Sequence, residues 1–540
     1  MPPDRARTAP DMMPGTAPGM TPCAALAPAP ANATGPSLDP ADRAALRRDG
    51  HRMLDDMFDH LAGLAAQPVW QPPSPAARAA IAEPLPVAPT ALAAVHAQFR
   101  QAILPFGSGN AHPGFMGWVQ GGGTAVGMLA EMLAAGMNAN CGGRQHMAIA
   151  VERRLLAWTR DLFGFPATAG GLFVTGTSQA NFIGLLIARQ RALGAAVRSR
   201  GLAGLGARLT AYASAAAHGC IARAMEMAGL GRDQLRLIPV DAGQRMRPDL
   251  LLAAIAADRA AGRQPFLLVG TAGTVDCGAI DDLAALADIA AAERLHCHID
   301  GAFGALAMLA PALAPRLAGI ERADSLAFDW HKWGQVPYDA GYLLVRDAAL
   351  QRASFATEAG YLRRADQGLA GGAWWPCDDG PDLSRGFRAL KTWFTLKTFG
   401  TAALGRVIAG TVDLAQALAA RIAAEPELEL LGPSPLNIVC FRFRAAQPDR
   451  VNAAIVERLH LAGRVAPSLT TIGGRVALRA AIVNHRTTAA DTHALVEGVL
   501  AAGRALAPGQ AGVPGFPRRH AGGDAPAALY DGGGTARYVR

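Results

Sequence analysis

Lys332 stands in the segment SLAFDWHKWGQVPYDAGYLLV, directly after His331 and flanked by Trp330 and Trp333. An apolar, partly dry setting lowers a lysine's pKa and favours the neutral amine, the form that attacks an aldehyde to form a Schiff base. On its own the same residue reads equally as a surface lysine whose stem lies along aromatic rings. The second candidate is Asp300, which ends the apolar run LHCHID and is followed by Gly301 and Ala302. A carboxylate at the end of a buried strand needs a cation, and a protonated pyridine nitrogen would serve while keeping the ring an electron sink. A satisfied helix cap or an internal salt bridge would serve as well. His296, His298 and Asp300 also alternate at a spacing that puts all three on one face of a strand, which leaves a metal site open as a rival reading.

The third element is GLFVTGTSQANFIGLLIARQ, where a strand passes through Thr175, Gly176, Thr177 and Ser178 into a helix. Small residues let backbone N–H groups approach an anion, hydroxyls add donors and the helix N-terminus adds favourable potential, so a phosphate suits the turn. It matches neither the dinucleotide nor the triphosphate glycine motif, and an ordinary serine-capped turn would look the same. His218, in YASAAAHGCIARAMEMAG, opens a helix where an imidazole can lie flat on a bound ring, or simply serve as a helix-end hydrogen-bonding group. Thr274, in VGTAGTVDCGAID, is ambiguous alone.

These residues need elements to hold them. The runs at 171–176, 208–214, 235–240, 265–271, 295–300 and 325–329 read as buried strands, and the segments between them space their apolar residues as helices do. Strand alternating with helix predicts an α/β fold with a mostly parallel sheet covered on both faces, whose ligands gather at the carboxyl ends of the strands. After about Arg388 long helices precede the strand-like NIVCFRFR and GGRVALRAAIV, which predicts a smaller C-terminal α+β domain. The boundaries expected are a disordered Pro/Ala-rich tail over 1–40, a helical segment over 41–110, a large domain over 111–388, a small domain over 389–506 and a second disordered tail over 507–540.

The bulk numbers exclude several other classes. With 540 residues the chain is too long for a single small module. Its 51 basic and 43 acidic residues leave a charge of +8, but the basic residues are scattered without interleaved aromatics, so no nucleic-acid partner is expected. The seven cysteines are odd in number, far apart and free of CxxC pairs, which argues against disulfides and structural zinc and for a reducing, cytoplasmic compartment. No secretion signal and no uninterrupted apolar stretch of membrane-spanning length is read, so no membrane is expected.

Five ordered motifs across roughly residues 45–500 resemble the group II pyridoxal-phosphate-dependent amino-acid decarboxylases, among them the aromatic-amino-acid and glutamate enzymes. They are HPGFMGWVQGGGTAVGMLAEMLAAGMN, the TGTSQAN turn, the HIDGAFG strand end, the DWHKW lysine segment and VALRAAIVNHRTTAAD. The resemblance implies the aspartate-aminotransferase-like fold of pyridoxal-phosphate-dependent transferases, with a seven-stranded type of sheet in the large domain and a homodimeric assembly. It implies pyridoxal 5′-phosphate as cofactor and no metal. Lys332 then corresponds to the cofactor lysine, Asp300 to the partner of the pyridine nitrogen, and His218 and Ala302 to the residues on the two ring faces. Gly176, Thr177, Ser178 and His331 match the phosphate-binding positions, and Thr274 a threonine near the 3′ oxygen. Asn138 and Asn140, with Trp118 and Phe115, are the candidate substrate residues, the asparagines through the neighbouring subunit.

Two departures bear on mechanism. Asp329 and Trp330 stand where many relatives have Asn or Ser and Pro. The stretch matching the relatives' mobile loop, ADQGLAGGAWWPCDDGPDLSRG, lacks the tyrosine that returns a proton to the substrate carbon; Trp374 and Trp375 offer a lid but no acid, and Tyr361 lies just upstream. The expected reaction is decarboxylation of an L-amino acid to its amine. Decarboxylation with oxidative deamination to an aldehyde is the close alternative. A metal-dependent hydrolase on His296, His298 and Asp300, or a non-catalytic scaffold, are the readings from other classes.

Overall fold

The computed structural model describes residues 37–357 and 359–506, apart from the side chain of Tyr361. Residues 1–36 of the first expected tail (1–40) and all of the second (507–540) lie outside the described residues. The chain divides at Arg52 and Met53, inside the helix Arg43–Gly63, none of whose side chains is buried. All candidate site residues belong to the second unit.

Twelve strands run in chain order: β1 (Phe115–Met116), β2 (Gly170–Val174), β3 (Leu209–Ser214), β4 (Leu235–Ile238), β5 (Gln264–Thr271), β6 (His296–Asp300), β7 (Ser325–Asp329), β8 (Gly341–Val345), β9 (Leu428–Leu430), β10 (Ile438–Phe443), β11 (Ala466–Ile472) and β12 (Arg475–Ala481). A seven-stranded sheet has the order β2-β8-β7-β6-β5-β3-β4. Every residue of β2, β3, β6, β7 and β8 is buried, as expected where helices cover both faces and strands read as continuous apolar runs. The neighbours from β4 to β7 are parallel. Consequently the ends of β3, β5, β6 and β7 open on the same side, where the chain turns into His218, Thr271, Asp300 and the Lys332 segment.

β8 was not foreseen as a strand. Only residues 330–340 separate it from β7, too few for a helical crossover, so it returns antiparallel to both β7 and β2. Glycine is required at its first position: a Cβ on Gly341 would lie 2.4 Å from Gly176 Cα, so the strand can pass the phosphate-type turn only without a side chain.

The second sheet has the order β1-β11-β12-β10-β9. Residues 115 and 116, grouped above with the large domain, pair with Ala466 and Pro467 of this sheet. The helix Arg388–Ala424, kinked at Gly400 (φ 71°), is the one described helix long and apolar enough to cross a membrane by length and composition alone, although Arg406, Asp413 and Arg421 interrupt its apolar run. Its Leu404, Ile408, Val412, Leu418 and Ile422 are buried in the protein cores, so it packs as an internal spine.

Candidate active site

One cavity of about 440 Å³ collects residues from five strand ends. Its wall includes Lys332, Asp300, His218, Ala302, His331 and Trp118, together with the turn Gly176, Thr177 and Ser178. The two tryptophans flanking Lys332 are core residues: Trp333 is fully buried and donates through Nε1 to Thr411 Oγ1 at 2.9 Å, and Trp330 is 2% exposed. They pin the lysine's backbone, and the side chain reaches into the cavity. There Lys332 Nζ lies 3.0 Å from Asp329 Oδ2.

Asp300 faces the same cavity. Its Oδ1 accepts the Ala302 amide at 3.2 Å and its Oδ2 accepts Asn181 Nδ2 at 3.0 Å. Burial pushes its carboxyl above the ordinary carboxylate range, opposed by the charges of Lys332 and His218. Because Lys332 spends its charge on Asp329, Asp300 is left seeking a cation.

The turn after β2 carries the features of an anion site. Gly176, the N-cap of the helix Thr177–Leu193, gives no side-chain cap, and the Thr177 hydroxyl is buried without a partner. His331 adjoins the turn, with Nδ1 accepting the Ala340 amide at 3.0 Å and its ring 4.3 Å from that of Tyr338. Thr271 Oγ1, also in the cavity wall at the end of β5, is a second buried hydroxyl without a partner. A lysine, a buried carboxylate lacking a counter-ion, a helix start behind a glycine turn and two orphan hydroxyls fit the aldehyde, ring nitrogen, phosphate and ring oxygen of pyridoxal 5′-phosphate.

Several expectations change. Thr274 does not line the cavity: it is fully buried and its hydroxyl accepts the Ala279 amide at 3.0 Å within the turn, while Thr271 presents its hydroxyl instead. Phe115 is 4% exposed and packs with Val69 and Ala466 under the second sheet, because its strand belongs there. Asn138 adopts the left-handed conformation that ends the helix Ala125–Met137, and Asn140 Oδ1 accepts the amides of Gly142 and Arg385 at 2.9 and 3.1 Å. Neither asparagine lines the cavity of its own chain. Trp375, expected as a lid, is 1% exposed, donates to Gly371 O at 3.0 Å and is stacked under Arg144 and Arg364. The proposed metal triad is not assembled either: Ser325 bridges His296 and His298, Asn181 joins His298 to Asp300, and no group of three or more metal-ligating side chains occurs among the described residues.

Sequence reasoning missed Asp329 as the lysine's partner, Asn181 as Asp300's, and Tyr338, the one tyrosine among the described residues that lines the cavity. All three lie inside quoted motifs, so their proximity in the chain was visible but their aim was not.

The model of the pyridoxal-dependent decarboxylase conserved domain matches residues 75–444. An aromatic-L-amino-acid decarboxylase from Bacillus atrophaeus is 31% identical over 82% of this chain and 92% of its own length. A phenylacetaldehyde synthase from Arabidopsis thaliana is 28% identical over 84% and 94%. Among solved structures, Oryza sativa TDC with PLP and tryptamine superposes with a TM-score of 0.80 at 27% identity, covering 87% of this chain and 99% of that one.

Proposed function

This chain belongs to the pyridoxal-dependent decarboxylase family and removes the carboxyl group of an amino acid with pyridoxal 5′-phosphate as cofactor; we propose that the substrate is an aromatic L-amino acid and the product its amine. The observation that carries this reading is that Lys332 and Asp300 share one cavity, with the anion-type turn in its wall and Trp118 and Phe303 beside it. With neither Asn138 nor Asn140 in its wall, the substrate side of one chain's cavity is mainly aromatic and apolar, which favours an aromatic side chain.

Once bound, the cofactor supplies a sink for the electron pair left on the α-carbon when carbon dioxide departs. Lys332 would hold the aldehyde end of the cofactor through Nζ. Asp300 would keep the ring nitrogen protonated, and His218 and Ala302 would confine the ring. Gly176, Thr177, Ser178 and His331 would hold the phosphate, and the Thr271 hydroxyl is free to donate to the ring oxygen. Tyr338, a phenol that is protonated at neutral pH, is positioned as the donor that returns a proton to the substrate carbon. This supplies an acid for the step that the tyrosine-free loop cannot serve, and supports amine over aldehyde.

The enzyme works as a homodimer in the cytoplasm on this reading. Exposed Met132, Leu133 and Met137 on the helix Ala125–Met137 and Met147 beyond it support a pairing surface, and the six described cysteines are free, in keeping with a reducing compartment. Carbon dioxide release from each of the twenty common amino acids and from diaminobutyrate tests the substrate. Preference for phenylalanine, tyrosine or tryptophan is expected; preference for glutamate or diaminobutyrate would overturn the aromatic reading.

A further inference from the structure

Behind Asp300 a line of buried polar side chains runs along one face of the sheet, under the helix Thr177–Leu193. Asn181 Nδ2 is 3.0 Å from Asp300 Oδ2, and Asn181 Oδ1 is 2.8 Å from His298 Nε2. His298 Nδ1 is 2.7 Å from Ser325 Oγ, which is 2.8 Å from His296 Nε2. All five residues are at most 4% exposed. Gly184 permits the approach: a Cβ there would sit 2.8 Å from the His298 ring, so the helix Thr177–Leu193 reaches β6 only because that position is bare.

The hydrogens of this line follow from chemistry. An ionised carboxylate only accepts, so Asn181 turns its NH₂ to Asp300 and its oxygen to His298. His298 must then donate from Nε2. Burial brings its pKa down to about 3 and that of His296 to about 4, so both rings are neutral and His298 Nδ1 is an acceptor. Ser325 therefore donates its hydrogen to His298, and its lone pair accepts the Nε2–H of His296. Every donor points toward Asp300. The amide of Asn181 carries no proton that it readily gives up, so the line is an aligned set of dipoles and not a proton conduit.

We propose that Asn181, His298, Ser325 and His296 form a positioning relay that keeps Asp300 ionised and aimed at the protonated ring nitrogen of the cofactor without adding a formal charge. The inference rests on the cofactor reading of the cavity. Dipoles aligned in a buried, low-dielectric line stabilise a terminal anion more than solvent-exposed hydrogen bonds do, and outer partners of this kind set the orientation of the group that binds. The charged or titratable groups facing the line are Lys332, His218 and Cys220 around Asp300, the last with Sγ 4.0 Å from Oδ2, and Asp324 and Arg191 near His296.

The test uses full-length protein freed of cofactor and titrated with pyridoxal 5′-phosphate, following tryptophan quenching and the pH response of the visible absorbance. His298→Phe keeps a ring and removes the hydrogen bonds; Ser325→Ala removes a single oxygen and serves even where the larger change impairs folding. Both are expected to weaken uptake roughly tenfold and to shift the pH response of the absorbance, and His298→Gln, which retains a donor, to restore part of the loss. Wild-type affinity and pH response in both variants, or a His298→Gln no better than His298→Phe, would overturn the relay. Failure of the wild-type protein to take up the cofactor would instead overturn the reading beneath it.

Discussion

The amine of Lys332 lies 3.0 Å from Oδ2 of Asp329, whose Oδ1 accepts the Thr177 amide at 2.8 Å. One buried carboxylate thus ties the lysine to the first residue of the anion-type turn. Where Asn or Ser would offer the same hydrogen bond neutrally, this chain places a negative charge beside the turn proposed to seat the phosphate.

That charge predicts an effect on anion binding. Asp329→Asn removes the repulsion and frees the Lys332 charge, so cofactor-free protein should bind inorganic phosphate about tenfold more tightly at low salt, as read by titration calorimetry. Equal or weaker binding would show that Asp329 does not face the anion.

The line behind Asp300 predicts a pH signature in stability. Burial depresses the His298 pKa to about 3 in the folded protein, against 6.5 for an unperturbed imidazole. A depressed folded pKa contributes stability that is present above 6.5 and lost as pH falls toward the folded value, because the unfolded chain takes the proton first. Asp281 and Asp379, raised by burial to about 6, act in the opposite sense, so the comparison must be a difference. The stability advantage of wild type over His298→Gln should shrink by about 2–3 kcal/mol between neutral pH and about 4.5, measured by denaturant unfolding. A pH-independent difference would mean that His298 titrates alike in both states.

Arg385 and Glu152 form a buried pair, 1% and 3% exposed at their side chains, and Arg385 also donates to Cys141 O and Phe173 O at 2.9 and 2.8 Å. These bonds fasten the segment after Asn140 to the edge strand β2. Arg385→Met strands a buried carboxylate and should cost about 3–5 kcal/mol of unfolding free energy. A loss under about 1 kcal/mol would show that water reaches Glu152.

Tyr338→Phe tests the proton donor. Turnover should fall about 100-fold with little change in KM, within the usual range for a general acid. For the wild type, amine should match carbon dioxide with no peroxide. Peroxide formed in step with carbon dioxide would establish the aldehyde outcome, and an unaffected Tyr338→Phe would remove Tyr338 from the reaction.

Much of this was legible in the chain. The buried strands showed because they are continuously apolar, and the lysine, aspartate and anion turn showed because each follows one of them directly. β8 was hidden because its direction depends on the short connection from β7 and not on its own residues. The aims of Thr274, Asn140 and Phe115 were hidden because a motif locates a backbone, whereas the Ala279 amide, the Gly142 and Arg385 amides and β11 decide where those side chains go. Conversely, the alternation of His296, His298 and Asp300 leaves a metal site open as a rival reading, and only Asn181 and Ser325, distant in sequence, make it a hydrogen-bonded line.

The most direct measurement compares wild type with Lys332→Ala after incubation with pyridoxal 5′-phosphate and removal of the excess. The wild type is expected to keep a visible absorbance and release carbon dioxide from an aromatic amino acid, and the variant to lose both. A Lys332→Ala protein that retains the absorbance at full intensity would contradict the assignment of residue 332 as the covalent anchor.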